Sequence, residues 1–472
     1  MARPRMCYLS EAEKQFIHEQ TVRLLEEVGV AYGTPTLTPL LQDAGAHVDE
    51  EKLTVRLPWP LVERCLRQLP ERVLLAGRDP EYDCVVGDGG MLYTSAGAAP
   101  YMLEDLTGER HEGTQADLAT MMRLYDAVPQ IDFTWATITP GDVDSRAGNL
   151  EMARISYENC RKHLQDEVRH PDQAPVFVEL LEAVAGASLK ERPIWSATNC
   201  TVAPLQHDAE MTEAHVLMAR AGCPIFILPM PQMGTTGPMS VLGTCVLNMA
   251  ELLSTVVLFQ LAVPGCSMVS AVGSAVAEMR SGLYLSGAPE DALINIVCIE
   301  MSKHYGMLTQ GSAVSCDAKV CDHQAGAEGM LTGIAVAMAG ADVMLAFGLL
   351  DSAQTASLAK TVLDADTVDA IERFLRDDPI DAARALIDDL VEVGIGGHFL
   401  ARKSTRRMLR AGELWQPALW RREPFDQSGG RTIVQDAWER AQQLIAANDV
   451  PPLPEDVRAH MRRLIDDYLA VT

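Results

Sequence analysis

Residues 311 to 328, GSAVSCDAKVCDHQAGAE, gather two cysteines, two aspartates, a lysine, a histidine and a glutamate among small side chains. Three chemistries use such residues. Cys316, Cys321 and His323 are ligand types that zinc accepts, but C-x4-C-x-H is a loose spacing, and no second C-x-x-C pair or H-x3-H accompanies it. No bound metal is therefore expected. A cysteine nucleophile with His323 as its base is a second reading. In the third, Lys319, Asp322 and Gln324 hold a loop by hydrogen bonds and an ion pair, and the segment shapes a pocket without reacting. The third asks least of the spacing.

Composition narrows the partners. The 472-residue chain is 48% hydrophobic, enough for a large core and one big domain with additions. Sixty-five acidic against 39 basic side chains leave a formal charge of −26. That balance speaks against nucleic acid or an anionic membrane surface, because phosphate binding needs a basic face. The N-terminus, MARPRMCYLSEAEKQF, lacks the apolar run of a signal peptide. Val246 to Pro264 carries Asn248, Glu251 and Gln260, which suits a buried helix. Gly329 to Leu350 is broken at Gly340 and Asp342, as a helix ending on glycine before the strand DVMLAFG would be. Eleven cysteines, several inside apolar runs, read as core residues and not as a disulfide framework. A cytoplasmic protein is expected.

The elements that must position the reactive residues are repetitive. Ser10 and Glu13 form a capping box opening a helix that stops at Gly29. A helical N-terminal region follows, interrupted by VDEEKLTVRLP. The stretch CVVGDGGMLYTSAGAAPYMLEDLTGER alternates apolar and turn residues, as strands and hairpins do. Beyond residue 130, helical segments separate the short strand candidates IDFTWAT, HLQDE, PIWSATN, PIFILPM, CSMVSAV, GMLTQGS, DVMLAFG and VGIGGHF. HLQDE is the least apolar of them. Eight such units predict an α/β fold, a (β/α)8 TIM barrel over 86–400, with an N-terminal helical region 1–85 and a C-terminal helical tail 401–472. No G-x-G-x-x-G follows a first strand and no P-loop occurs, so nucleotide chemistry has no support. Residues just past each barrel strand face the active site, which nominates Asn199, Met230, Gln232, Ser274, Glu278, Gln310, Phe347, Asp351 and His398. A single histidine in that set argues against a metal-dependent hydrolase.

Eight motifs occur in order: LLEEVGV, GRDPEYD, LTGERHEGTQADLATMMRLYDAVPQIDF, NCTVAPLQHD, AGCPIFILPMPQMGTTGP, LSGAPE, DAKVCDHQAGAE and GIGGHFL. Together they resemble the trimethylamine methyltransferase superfamily of corrinoid-protein Co-methyltransferases. The likeness runs from residue 9 into the tail VPPLPEDVRAHMRRLIDDYL. It implies a (β/α)8 barrel that moves a methyl group from a methylated amine to Co(I) of a separate corrinoid (cobalamin) protein. No cofactor bound by this chain is implied. The founding trimethylamine enzymes carry pyrrolysine, which this chain lacks, so it resembles the non-pyrrolysine branch that acts on glycine betaine and related quaternary amines. It departs from the family pattern at Ser404, in GGHFLARKST, where a second histidine is common, and at Glu278, in EMRSG, where aspartate is common.

On that resemblance Co(I) from the partner is the nucleophile, and no catalytic side chain is assigned to this chain. A fixed ammonium charge suits aromatic faces. Only 5% of the chain is aromatic, so Tyr93 and Phe347 are first choices, with Tyr101 and Trp135 behind them. A betaine carboxylate needs donors, for which Asn199, Gln310 and His398 are first choices. Gln232, Glu278 and Arg280 complete the expected pocket. A homo-oligomer is expected. The alternatives are a barrel that binds betaines without turnover, and a trimethylamine-type methyltransferase.

Overall fold

The computed structural model describes residues 6–34, 36–49, 51–427 and 429–472. Eight short strands, each followed by a helix, make its scaffold. They are β1 (Leu92–Thr94) with α1 (Gln115–Ala127), β2 (Thr134–Trp135) with α2 (Gly148–Asn159), and β3 (Leu164–Asp166) with α3 (Gln173–Ala185). Next come β4 (Trp195–Val202) with α4 (Ala209–Ala221), β5 (Ile225–Leu228) with α5 (Val241–Ala262), and β6 (Met268–Ala271) with α6 (Pro289–His304). Last are β7 (Thr309–Ser312) with α7 (His323–Ala339) and β8 (Val343–Leu345) with α8 (Leu358–Leu375). The strands pair in parallel in the order β2-β3-β4-β5-β6-β7-β8-β1. One parallel bridge, Thr94 to Phe133, joins the two ends of that row. The protein is thus an α/β fold built on a large parallel sheet.

Register decides what each face carries. Side chains alternate along a strand, and residues paired across parallel strands share a face. Val343 pairs with Leu92 and with Gln310, and Phe226 pairs with Val269 and with Thr198. At the amino ends of the strands this inner face is apolar. Phe133, Phe226, Val269 and Val343 pack under an antiparallel hairpin, Val73–Leu75 with Cys84–Val86, whose Val73, Leu75 and Val86 complete the cluster. The opposite face, with Ile227 and Met344, packs on the helices.

Helix boundaries follow local chemistry. Asp322 caps α7 by accepting from the amides of Gln324 (2.9 Å) and Ala325 (3.2 Å), and Gly340, at φ 79°, ends it. The Ser10–Glu13 capping box opens the N-terminal helix Glu11–Glu27 as expected. α5 has the length and apolarity of a membrane span, but 78% of its most apolar stretch is buried inside the protein. Its polar residues find internal partners: Asn248 donates to Ser274 Oγ (2.6 Å), and Gln260 donates to the Cys266 carbonyl (3.0 Å).

Two expectations change. VGIGGHF is not a strand: Val393 ends a short helix, Ile387–Val393, Gly394 and Gly396 take φ of 64° and 78°, and Ile395 is fully exposed. Left-handed glycines break extension, and nothing buries the segment's apolar side chains. Leu92–Thr94, within the stretch read as strands and hairpins but not as part of the barrel, takes the eighth place by pairing in parallel with β8. In the N-terminal region the helical pattern breaks where VDEEKLTVRLP was expected to interrupt it, with His47–Asp49 paired antiparallel to Thr54–Arg56. The repeating units end at Leu375, short of residue 400.

Phe226, fully buried under the hairpin, anchors the apolar layer. Phe226→Ala is expected to lower the unfolding free energy by about 3–5 kcal/mol. Leu331→Ala, at a half-exposed position of α7, is expected to change it by less than about 0.5 kcal/mol. Urea titrations of the two variants check both.

Candidate functional site

Directly above the apolar layer the inner face becomes polar. Gln165 pairs in register with Trp135 and Ser196, Thr198 with Phe226, and Gln310 with Ala271 and Val343, so all four named polar side chains share this face. They are almost completely buried. Both amide atoms of Gln165, both of Gln310, Thr198 Oγ1 and Trp135 Nε1 lack a hydrogen-bond partner in the protein. Buried polar atoms are nearly always paired, and each one left unpaired costs about 1–3 kcal/mol. Six on one face therefore mark where a ligand or ordered water binds. Gly97 is required beside them, because a Cβ there would lie 2.3 Å from Trp135 Nε1.

Carboxylates gather toward the carboxyl ends of the strands. Cys200, on the inner face of β4, points its thiol at Glu167 Oε1 (3.6 Å), and burial followed by the Glu167 charge pushes that thiol well up. Tyr284 donates to the Gly273 carbonyl (3.2 Å) and lies within electrostatic reach of Asp291, Asp317 and Cys200. Asp291 is buried with Oδ2 unpartnered; burial, then the neighbouring Asp317, raises its carboxyl far above the usual range. Asp166 is pushed up to about 8 by burial, against weaker opposing pulls that include the Glu167 amide and the Trp135 indole. The indole lies close to that carboxyl without good hydrogen-bonding geometry. His163, two residues before Gln165, stays neutral: burial lowers it to about 3 while its ring nitrogens meet the Ala76 carbonyl (3.1 Å) and Ser196 Oγ (2.9 Å).

The segment 311–328 is a wall of this mouth. Asp317 accepts from the Ser286 amide (2.8 Å) and Ser352 Oγ (2.7 Å), while its own amide donates to Glu328 (2.7 Å). A Cβ on Gly287 would lie 2.6 Å from Glu328 Oε2, so LSGAPE and DAKVCDHQAGAE fit together through that glycine. Lys319 pairs with Asp351, and Gln324 donates to Glu328 (2.7 Å), the loop-holding roles expected of them. Burial drives the Cys316 thiol up to about 11 and the Cys321 thiol up to about 12, which keeps both protonated and unreactive. His323 is exposed, and among the described residues no three His, Cys, Asp or Glu side chains converge as a metal site would need. Backbone strain clusters here too: Ala98, Val314, Phe347, Asp351, Ser352 and Ala353, all past strand ends, have positive φ.

Of the residues nominated from sequence, Gln310 and Trp135 lie on the polar inner face. Phe347 is buried just past β8 with φ 71°. Tyr93 pairs with Met344 and faces the helices, its hydroxyl donating to Glu372 on α8. Asn199 faces them too, with Nδ2 3.0 Å from Nδ1 of the buried His215 on α4. Alternation accounts for both, since each is one residue out of phase with the inner positions. Tyr101 lies in a hairpin strand, Tyr101–Leu103, under the Arg110 guanidinium (4.2 Å from the ring centre). Gln232 is in a two-residue strand beside Ala275. Glu278 accepts from the Arg280 amide (3.0 Å) in a turn where Arg280 is exposed. His398 is exposed, outside the repeating units. Sequence reading passed over Gln165, Thr198, Glu167, Cys200, Asp291 and Tyr284. A glutamine in the middle of HLQDE, two places from a histidine, was the available signal.

The chain matches the trimethylamine methyltransferase (MTTB) family over residues 1–470. It belongs to that methyltransferase family. It is 27% identical to the trimethylamine methyltransferase MttB of Desulfitobacterium hafniense (strain DSM 10664 / DCB-2) over 463 residues, covering 97% of this chain and 93% of that protein. It is 29% identical to the glycine betaine methyltransferase of Desulfitobacterium hafniense (strain Y51), covering 98% and 97%. The Methanosarcina barkeri monomethylamine methyltransferase (MtmB) structure shares the fold with a TM-score of 0.58 at 10% identity, covering 98% of this chain and 89% of that one.

Asp166 gives a pH test. Its folded value of about 8 lies above the ordinary 3.8, so the folded state holds a proton that the unfolded state has released between those values. The group's contribution is fully present below about pH 4 and is lost as pH rises through 8. Asp166→Asn removes that loss. Its stability relative to wild type is expected to climb between pH 4 and 8, by at most about 1.4 kcal/mol per unit, and to level off above. Denaturant unfolding across that range checks the slope.

Proposed function

We propose that this chain demethylates a small quaternary amine that also bears a carboxylate, glycine betaine or a close relative, and delivers the methyl to a separate corrinoid protein. The observation that carries the reading is the neutral polar floor of Gln165, Thr198, Gln310 and Trp135 beneath a carboxylate-lined mouth, in a chain of this family. Such a floor holds a carboxylate through amide and hydroxyl donors. The mouth draws in a cation. The 29% identical glycine betaine methyltransferase supports the same substrate class. The eight strands are read as a closed barrel, a reading the Thr94–Phe133 bridge supports.

In this mechanism Gln165, Gln310 and Thr198 grip the substrate carboxylate, which does not change in the reaction, and hold one methyl toward the open mouth. The Trp135 face and Phe347 lie against the ammonium, roles that alternation denies to Tyr93. The acceptor, the Co(I) corrinoid of the partner protein, is the second substrate. The C–N bond breaks with its electron pair remaining on nitrogen, so a neutral tertiary amine departs and the methyl carbon forms its new bond with the acceptor's electron pair. Unprotonated trimethylamine would instead expel an amide anion, a far poorer leaving group.

The test incubates the enzyme with reduced corrinoid protein and a panel of glycine betaine, other betaines, carnitine, choline and trimethylamine, following methylation of the corrinoid by absorbance. Turnover of at least one carboxylated quaternary amine is expected, and none of trimethylamine. Gln310→Leu is expected to raise KM for the best substrate about 10- to 100-fold, the loss of one hydrogen bond to a charged group. Turnover of trimethylamine alone would sink the reading. Binding of betaines without any methyl transfer would replace it with a binding protein.

A further inference from the structure

Three loops of the mouth are fastened to the first turns of α8, two of them through a buried ion pair. Lys360 and Asp364 lie one helical turn apart, both almost completely buried, and pair with each other. Each also reaches a backbone group outside α8. Lys360 Nζ donates to the Val314 carbonyl (3.2 Å), just past β7, and Asp364 Oδ2 accepts from the Gly348 amide (2.9 Å), just past β8. Both turns leave ordinary backbone space, with φ of 51° at Val314 and 71° at Phe347. Such values, above all at a β-branched residue, persist only where the surroundings impose them. α8 also crowds the second turn, since a Cβ on Gly348 would lie 2.5 Å from Thr361 Oγ1. The third loop, beyond the strand Tyr101–Leu103, joins through Asp105, which accepts from Ser357 Oγ and from the Ala359 amide (3.0 Å) at the start of α8.

The turns past β7 and β8 also bind each other. The Ser352 amide donates to the Cys316 carbonyl (3.0 Å), the Asp351 amide to that of Ala318 (2.8 Å), and Ser352 Oγ to Asp317 (2.7 Å) at the mouth. Behind them lies a cavity of about 920 Å³, whose lining includes Val314, Cys321, Lys360 and Asp364. Empty space lets a turn swing, so contact with α8 must supply the restraint that close packing gives elsewhere. Two charges are costly to bury, and a buried pair adds little net stability, so stability alone does not explain this one. Its directed bonds do, because an ammonium and a carboxylate each fix one backbone group at a strained turn. We propose that Lys360 and Asp364 are positioning residues, whose buried pair locks the turns after β7 and β8 and so sets the wall of the mouth beside the substrate ammonium. They act through Phe347 and the 311–328 loop, not by contact with the substrate. The role given to the mouth rests on the substrate reading; the lock on the turns rests on the contacts alone.

The test replaces the pair by apolar side chains of similar size, Lys360→Met with Asp364→Leu in the full chain. Exchanging both members of a buried pair in this way tends to preserve stability, so an unfolding temperature close to that of wild type is expected. Cys316 reports on the lock, because its buried thiol lies against the Leu349 carbonyl (3.6 Å) between the two turns. Its labelling by a maleimide, read by peptide mapping, is expected to quicken about tenfold or more, while the buried Cys298 on α6 keeps its wild-type rate. KM for the best betaine is expected to rise about tenfold or more, because a displaced wall misaligns the bound methyl. Asp364→Asn keeps an acceptor for the Gly348 amide but breaks the ion pair, and is expected to fall between wild type and the double variant in both readouts. A double variant that folds and labels at the wild-type rate overturns the proposal, as does one that labels fast yet keeps the wild-type KM and kcat. If the double variant does not fold, Asp364→Asn decides, and labelling at the wild-type rate overturns the proposal there too. A wild type that takes a methyl from no betaine refutes the substrate reading instead, and Cys316 labelling still decides the lock.

Discussion

Parallel pairing with a side-chain period of two is the constraint on which the rest of this protein depends. Once Val343 stands beside both Gln310 and Leu92, every second residue of three strands is committed to the inner face. The same commitment passes through Phe226 to Thr198 and Val269, and through Gln165 to Trp135 and Ser196. A slip of one residue in any strand would send its polar residue into the helix layer and an apolar one into the pocket. The amino-end hairpin helps to hold that register. Its three apolar side chains fit only the apolar layer, so strands and hairpin fix one another.

Placing the polar floor directly on that dry layer has electrostatic consequences. Charged forms are disfavoured there, which is why His163, in phase with Gln165, is held near 3; the adjacent Asp166, one residue out of phase, is likewise pushed up to about 8 by its own burial. The floor therefore offers dipoles instead of charges, and dipoles in a low-dielectric site bind a carboxylate more strongly than they would in water. The carboxyl groups of Glu167 and Asp317 lie past the carboxyl ends of β3 and β7, where the mouth opens. The thiols along the same wall, Cys316 and Cys321, are silenced by the same burial.

Seven of the eight strands were legible in the sequence, because apolar runs between helical segments mark buried parallel strands without any knowledge of their partners. The eighth was not. GGMLYTSAG looks like hairpin sequence, and only its pairing with β8 makes Leu92–Thr94 part of the scaffold. VGIGGHF looked like a strand because composition cannot show that Gly394 and Gly396 turn left-handed. Gln310 and Asn199 were nominated alike from their place at strand ends, and Trp135 and Tyr93 alike as scarce aromatics, in neither case with phase weighed. Counting alternation from the apolar positions of PIFILPM and its neighbours would have separated Gln310 and Trp135, which face inward, from Asn199 and Tyr93, which face the helices. Glu167, Asp291 and Tyr284 lay beyond sequence reading, since two different units bring them together, Glu167 just past β3 and Tyr284 with Asp291 between β6 and the first turn of α6.

The vertical separation of neutral floor and acidic mouth matters for the proposed reaction. A quaternary ammonium loses its charge as its methyl departs, so any carboxylate touching nitrogen stabilises the substrate more than the transition state and slows transfer. An aromatic face and a ring of dipoles give up less as the charge fades. Carboxylates a layer away still raise the local concentration of the cation, because attraction over that distance acts mainly on encounter. The substrate carboxylate keeps its charge throughout, so the strongest contacts belong at that end, where firm binding costs nothing at the transition state. On the proposed reaction, the register that turns Gln165, Thr198 and Gln310 inward would put those contacts at the deep end of the site and leave the methyl toward the mouth, where the acceptor would approach.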